Sequence, residues 1–317
     1  MEYTCRLLRN ITKPLALPRP VVATLGNLDG IHSGHRSLLR AVRQKANEQG
    51  GGGSSLAITF YPHPAKVLGK ETDSSSLSSL SERLRVLSEC KIYALALIHF
   101  TKSLSTMRAA QFIEEILFRN LGVEHLVLGP DAHVGFKREG TPEFIKDYFE
   151  RHGRSAEILP FVMEGSERVS SGRIRKLVAA GEVLGARMLL GRSYSLEGRV
   201  VHGDGRGAQI GVPTANILTR TQLLPAHGVY AGFLALPGGT FRAVANVGVR
   251  PTFGGRLPTL EVHAWDYAGH AFYGQRVRFT FEARLRGEQK FNSVGELVAQ
   301  IRTDIESAKS CLKEIHE

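Results

Sequence analysis

Hydrophobic positions along this 317-residue chain follow two different rules, and the change falls near residue 190. Up to that point, short apolar runs alternate with segments whose apolar residues recur every three or four positions. The runs at 21–25, 56–60, 92–100, 124–128 and 156–160 predict strands, and the periodic segments at 38–48, 81–90, 106–121 and 142–152 predict helices. Strands that alternate with helices predict a parallel sheet covered on both faces. Two stretches break the pattern: Gly50-Gly-Gly-Gly-Ser-Ser55 and the serine-rich 72–79 both read as loops, the second as a mobile one. Further helices are predicted from Ser170 onward and at 181–190. Beyond 190 the helical period disappears. Period-two segments at 197–202, 228–236, 242–247, 259–264 and 275–283 are parted by turns such as Pro237-Gly238-Gly239. They predict an all-β domain in the form of a small barrel. A helix at 291–313, with Val294, Leu297, Val298 and Ile301 in register, closes the chain. The fold class is therefore α/β, as a Rossmann-like domain at 1–189 and a small β-barrel domain with a C-terminal helix at 190–317.

The candidate chemistry of the first domain lies at strand ends, where open parallel sheets bind ligands. After the first strand comes Gly26-Asn27-Leu28-Asp29-Gly30-Ile31-His32-Ser33-Gly34-His35, leading into a helix. A glycine-rich turn lets backbone N–H groups approach an anion, and the helix N-terminus adds its dipole. His32 and His35 flank Gly34 closely enough for both imidazoles to serve one phosphate chain. The residues alone also allow a plain tight turn with two exposed histidines. Pro62-His63-Pro64 and Asp131 stand at the ends of two other predicted strands. Ser170-Ser171-Gly172-Arg173-Ile174-Arg175 opens a helix: the serines suit capping and phosphate donation equally, and Arg175 suits either a phosphate or solvent.

In the second domain, residues 203–216 hold four glycines, Gly203, Gly205, Gly207 and Gly211, before Val212-Pro213-Thr214-Ala215-Asn216. On an extended segment Thr214 and Asn216 face the same way. Both offer oxygen ligands of the kind Mg²⁺ takes beside phosphates. Standing alone, the segment would equally be an ordinary Pro-Thr turn. Glu261, in Leu260-Glu261-Val262-His263, is the candidate base for deprotonating a hydroxyl. By themselves these features describe a two-domain, nucleotide-dependent transferase.

Charge and cysteine content narrow the picture. Lys and Arg number 41 against 30 Asp and Glu, a net charge of +11. The cations are scattered rather than blocked, so phosphate-rich small ligands explain them better than nucleic acid does. Cys5, Cys90 and Cys311 form no Cys-x-x-Cys pair and no zinc spacing, as in a reducing cytosol. No leader sequence and no apolar run near the ~20 residues of a membrane helix is expected, so the chain reads as cytoplasmic, with no membrane partner.

The two sets of motifs together resemble the bacterial bifunctional riboflavin kinase/FAD synthetase family over nearly the whole chain and in the right order. The family's Gly-x-Phe-Asp-Gly-x-His-x-Gly-His loop, which holds ATP, is similar to Gly26–His35 here, with Leu28 in place of Phe. Thr59-Phe60-Tyr61-Pro62-His63-Pro64 and Ser170–Arg175 match two further stretches of the nucleotidyltransferase domain. Gly172 stands where Thr is usual, and Asp131-Ala132-His133-Val134-Gly135-Phe136 replaces an Asp-Phe-x-Phe-Gly pattern. In the riboflavin kinase domain the Gly-x-Pro-Thr-Ala-Asn motif is Gly211–Asn216. Gly228-Val229-Tyr230, Asn246-Val-Gly-Val-Arg-Pro-Thr252 and Leu285-Arg286-x-Glu288-x-Lys290-Phe291 match as well. The resemblance implies two reactions: phosphorylation of riboflavin to FMN, and adenylylation of FMN to FAD with release of pyrophosphate. The small-molecule partners are then riboflavin, FMN and ATP, with Mg²⁺ as cofactor. It implies catalytic roles for Glu261, His32, His35 and Arg175. It implies ATP or phosphate contacts at Gly26, Asn27, Asp29, Gly34, Ser170, Ser171, Gly203, Gly205, Gly207, Thr214 and Asn216, the last two also serving the metal. Flavin contacts are implied at Pro62, His63, Asp131, Tyr230, Arg250, Thr252 and Arg286. Two alternatives differ in class. One is a riboflavin kinase with a degraded adenylyltransferase domain, suggested by Ala132, Val134 and Gly172. The other is a non-enzymatic basic binding protein, suggested by the net charge.

Overall fold

Val21–Leu25 shows why the first half folds as it does. All five residues are buried, so the strand is covered on both faces, as a central parallel strand must be. Alternate residues go to opposite sides: Val22 packs with Val42 and Ala46, whereas Val21, Ala23 and Leu25 join a larger cluster around Phe112, Leu117 and Phe149. The computed structural model describes residues 4–48, 52–69, 75–203, 207, 210–219, 222–252, 255–269 and 272–314. At 250–252, 255–258 and 314 it describes the backbone only. The chain divides into two units, Met1–Ser74 with Leu80–Val169, and Ser75–Ser79 with Ser170–Glu317.

The first unit runs β1 (Arg6–Leu8), β2 (Val21–Leu25), α1 (Ser33–Asn47), β3 (Ser54–Tyr61), α2 (Pro64–Val67), α3 (Leu80–Glu89), β4 (Ala94–His99), α4 (Lys102–Ser105) and α5 (Ala109–Phe112). α5 continues as a π-helical stretch, Ile113–Asn120, before β5 (His125–Leu128), α6 (Pro142–Arg151) and β6 (Ser155–Ile158). A short hairpin, β7 (Met163–Glu164) and β8 (Glu167–Arg168), ends the unit. The six-stranded sheet has the order β1-β4-β3-β2-β5-β6, with every pair parallel. The expected alternation is present, and β1 is an edge strand that the hydrophobic pattern did not signal. The chain builds outward from β2 through β3 and β4, then returns to lay β5 on the other side of β2. The order therefore reverses between β2 and β5, and the loops that leave their carboxyl ends flank the crevice where such sheets take ligands.

The second unit has α7 (Ser171–Ala180), α8 (Val183–Leu190), then β9 (Tyr194–Val201), β10 (Ala215–Leu218), β11 (Gly228–Leu236), β12 (Gly239–Thr252), β13 (Gly255–Ala264), β14 (Arg276–Arg286) and α9 (Val294–Glu314). The six strands close in the order β10-β13-β12-β11-β14-β9, all antiparallel, which leaves no free sheet edge. Tyr194, Tyr230, Phe279 and Phe281 are fully or almost fully buried and pack ring against ring. α9 lies on the outer face, its Ala308 and Leu312 packed with Val229, Ala231 and Val244.

The serine-rich stretch is a loop over the residues described, and it is tied to the second unit. Ser75–Ser79 belongs to the second unit, although its sequence neighbours belong to the first. Ser76 pairs with Gln222, Leu223 N–H donates to the Ser76 carbonyl at 2.9 Å, and Ser79 Oγ donates to Glu197 at 2.6 Å. Leu77 is fully buried, which supplies an apolar anchor that the run of serines concealed. Residues 72–74 of the predicted loop lie outside the described residues.

Candidate active sites

The first site grows from the end of β2. Gly26 N–H donates to the Ile58 carbonyl, and Thr59 Oγ1 donates to the Asn27 carbonyl at 2.9 Å, so β3 holds the start of the turn. Leu28, Gly30 and Ile31 have positive φ values of 49°, 80° and 39°. For leucine and a β-branched isoleucine this backbone is strained, at roughly 1–3 kcal/mol each. Burial offsets the strain, because Leu28 and Ile31 pack with Leu39, Ala57, Val86 and Leu95. The turn delivers His32 to the N-cap of α1, where its Nδ1 accepts from His35 N–H at 3.4 Å. The cap explains why α1 begins five residues before the expected helix. The two imidazoles stack with centroids 3.8 Å apart. Gly34 makes room: a Cβ there would lie 3.1 Å from the His32 ring.

Electrostatically the turn is prepared for an anion. Burial lowers the His35 pKa well below the usual imidazole value, with His32 and Arg83 adding to the shift. Its Nδ1 is buried without a hydrogen-bond partner. The ring stands at the N-terminus of α1, where the helix dipole favours an anion. Asp29 is buried, in an ion pair with Arg83 at 3.1 Å. Arg83 was not among the residues the motifs singled out. It lies 54 positions from Asp29 on an ordinary helix pattern, and no local signal marks it.

The other predicted residues of the first unit sit at the same carboxyl end. Pro62 and His63 follow β3, and His63 caps α2 by accepting from Ala65 N–H at 3.3 Å. Asp131 follows β5, exposed, with Arg168 at 3.8 Å. Arg138 Nη2 and His133 Nδ1 lie within 3.3 and 2.8 Å of its carbonyl. Val134, where an aromatic was expected, is buried in the main core cluster, and Ala132 packs against that cluster. Ser170 caps α7 by accepting from Arg173 N–H at 3.3 Å, and Ser171 and Arg175 stand in the first turns of that helix, within the second unit. A Cβ at Gly172 would find no atom nearer than 4.0 Å.

The second site is a row of polar residues across the barrel. Asn216 on β10 pairs directly with Glu261 on β13, and Glu261 pairs directly with Asn246 on β12. Directly paired residues point to one face, with Cβ atoms about 4.5–5.5 Å apart. Asn246 pairs in turn with Val229, which packs beneath α9, so the row lies on the outer face. Leu260 and Val262, on either side of Glu261, are buried. The glycines fit around this row. A Cβ on Gly203 would fall 2.1 Å from Asn216 Nδ2, and one on Gly207 would fall 3.2 Å from Thr214 Oγ1. A Cβ on Gly248 would lie 3.0 Å from a Glu288 carboxylate oxygen and 3.5 Å from Asn246 Nδ2. Glu288, a position of the matching stretch that had no role assigned to it, is thus a second carboxylate beside the row. Thr214 and Asn216 supply hard neutral oxygens, a donor set that suits Mg²⁺ when nucleotide phosphates complete its shell. Among the described residues no group of three or more His, Cys, Asp or Glu could hold a metal alone.

Two of the predicted flavin contacts, Tyr230 and Arg286, lie on β11 and β14 of the barrel. Tyr230 is fully buried in the barrel, edge-on to Phe281, and its hydroxyl donates to the Ala226 carbonyl at 2.5 Å. Arg286 makes two bonds to Asp304 of α9, at 2.9 and 2.8 Å, with Gln300 donating to the same carboxylate. Gly205 and the side chains of Arg250 and Thr252 lie outside the described residues. Among the described residues no helix is long and apolar enough to cross a membrane.

Comparison with known proteins bears on both sites. A sequence model described as FAD synthetase matches residues 15–173, and one described as riboflavin kinase matches residues 190–312. The bifunctional riboflavin kinase/FMN adenylyltransferase of Escherichia coli K12 is 34% identical over 306 residues, covering 94% of this chain and 95% of that protein. The Pseudomonas fluorescens protein of the same description is 36% identical over 293 residues, covering 92% and 93%. The one from Bacillus subtilis is 32% identical over 293 residues, covering 90% and 91%. Among solved structures, one described as a macrolide-efflux protein from Streptococcus pneumoniae superposes with a TM-score of 0.86 at 30% identity, covering 96% of this chain and 99% of that one.

Proposed function

The chain belongs to the bifunctional riboflavin kinase/FMN adenylyltransferase family, and from that premise we propose that its two reactions are divided between the histidine turn and the barrel row. The enzyme phosphorylates riboflavin to FMN and then adenylylates FMN to FAD, with ATP as co-substrate of both steps. The work divides between an adenylyltransferase domain, 1–189, and a kinase domain, 190–317, in a cytoplasmic protein.

The observation that carries the kinase assignment is the pairing of Glu261 between Asn216 and Asn246. Glu261 accepts the proton of the ribityl 5′-hydroxyl as that oxygen attacks the γ-phosphorus of ATP, and ADP leaves. Thr214 and Asn216 would hold Mg²⁺, which when bound would supply positive charge beside the phosphate oxygens. Gly203, Gly205 and Gly207 contact the triphosphate, and at Gly203 and Gly207 a side chain would collide with Asn216 and with the Val212 carbonyl. Arg250 and Thr252 border the flavin. Tyr230 and Arg286 serve the same site through the wall and through α9, whose positions they hold.

For adenylyl transfer the FMN phosphate is already ionised, so the reaction needs no strong base. A phosphate oxygen of FMN attacks the α-phosphorus of ATP, and pyrophosphate leaves. His32 and His35 donate to the charge that develops, and the N-terminus of α1 adds its field. Gly26, Asn27, Asp29 and Gly34 shape the turn that receives ATP. Pro62, His63 and Asp131 contact the flavin. Incubating the full chain with riboflavin and MgATP, and separately with FMN and MgATP, tests the scheme by chromatography of the products. FMN and FAD are expected from the first and FAD from the second. FMN accumulation with no FAD in either would reduce the chain to a kinase.

A further inference from the structure

Arg83 lies on α3, outside every motif, and is largely buried, with a side-chain exposure of 15%. Its Nη1 donates to the Asn27 carbonyl at 3.2 Å and its Nη2 to Asp29 Oδ1 at 3.1 Å. One guanidinium thus ties a second helix to two residues of the turn that delivers His32 and His35. Between and just beyond those two contacts sit the two strained residues, Leu28 and Ile31. A planar fork with fixed donor directions can hold a carbonyl and a carboxylate at once; an ammonium cannot match both. We propose that Arg83 is a positioning residue for adenylyl transfer, clamping the Gly26–His35 turn in its strained form and keeping the histidine site positive for the incoming triphosphate. The proposal rests on the adenylyl-transfer reading of that turn. Independent support comes from charge: after burial, His32 and Arg83 both disfavour a proton on His35, so the neutral ring is partly the work of Arg83.

Arg83→Met and Arg83→Lys in the full chain test the idea, with riboflavin phosphorylation in the same molecule as the control for folding. Arg83→Met is expected to lower kcat for FAD formation from FMN on the order of 10²-fold, the scale of a misplaced reacting group. FMN formation should stay within about twofold of wild type, and Arg83→Lys should recover part of the loss by keeping the charge without the fork. The His35 imidazole, followed by NMR, should titrate at higher pH in Arg83→Met, because the ring then takes up a proton more readily. A role confined to packing would not move that titration. FAD formation within about threefold of wild type, with an unmoved His35 titration, would overturn the proposal, as would a parallel loss of both activities in Arg83→Lys. A wild-type chain that forms FMN but never FAD would instead overturn the reading on which the proposal rests.

Discussion

Replacing Gly203 with alanine puts a methyl group where the Asn216 side chain now lies. The new Cβ would stand 2.1 Å from Nδ2, 2.8 Å from Cγ and 3.2 Å from Oδ1. Backbone does not have to give way, because each of these atoms is the end of a side chain that can rotate. The cost in stability is therefore that of one displaced rotamer, about 1 kcal/mol. In a domain of this size that lowers the melting temperature by about 2–4 °C. The cost in catalysis is larger. Asn216 is the partner of Glu261 across the β10–β13 ladder, and turning it away removes one of two proposed oxygen ligands for metal and phosphate. Losing a preorganised group of this kind costs about 10²–10³ in rate, or about 2.7–4 kcal/mol of transition-state stabilisation. FMN formation from riboflavin and MgATP should fall by that factor, while FAD formation from supplied FMN should be unchanged. A mutant cycle sharpens the test: Gly203→Ala with Asn216→Ala should be no slower than Asn216→Ala alone, since the methyl acts only by displacing Asn216. FMN formation within about threefold of wild type, or additive losses in the double variant, would refute the geometry of this argument.

Other consequences can be checked with the same preparations. Glu261→Ala should abolish FMN formation and spare FAD formation from supplied FMN, and His35→Ala should do the reverse; a folded variant of either that loses both activities contradicts two separate sites. His35 also leaves a signature in stability. Its folded pKa is depressed, so the unfolded chain binds a proton that the folded chain refuses. Its contribution is complete above about pH 6.5 and declines as the pH falls toward the folded value. Melting near pH 7.5 should therefore exceed melting near pH 5.5, and His35→Gln should shrink that difference; an equal difference in the variant dismisses His35 as its source. Asp304→Ala strips Arg286 of a two-point partner in a pair with side-chain exposures of 22% and 7%. The expected cost is about 3 kcal/mol, seen as a lower urea midpoint at unchanged slope.

Much of this molecule could be read from local pattern. The strand–helix alternation before residue 190 and the period-two segments after it led to a parallel sheet and a barrel, because both periodicities are set by backbone geometry. The histidine turn and the Gly211–Asn216 motif were visible for the same kind of reason: their glycines, histidines and oxygen donors lie within ten residues of one another. What the local pattern did not show was non-local. The serines of 75–79 look like solvated loop, yet Leu77 among them finds an apolar site in the second unit. Tyr230 and Arg286 sit inside matching stretches, and tertiary packing commits one to the barrel interior and the other to Asp304.

By itself, then, the sequence determined the two classes of element, the order of the domains and the two short motifs that carry the chemistry, all properties of residues near one another in the chain. Tertiary structure alone decided the reversal of strand order between β2 and β5, the seating of Glu261 between two asparagines from different strands, and the reach of Arg83 to a turn more than fifty residues away. Each depends on which distant surfaces bury one another, and burial is a property of the whole packed unit that no window of sequence contains.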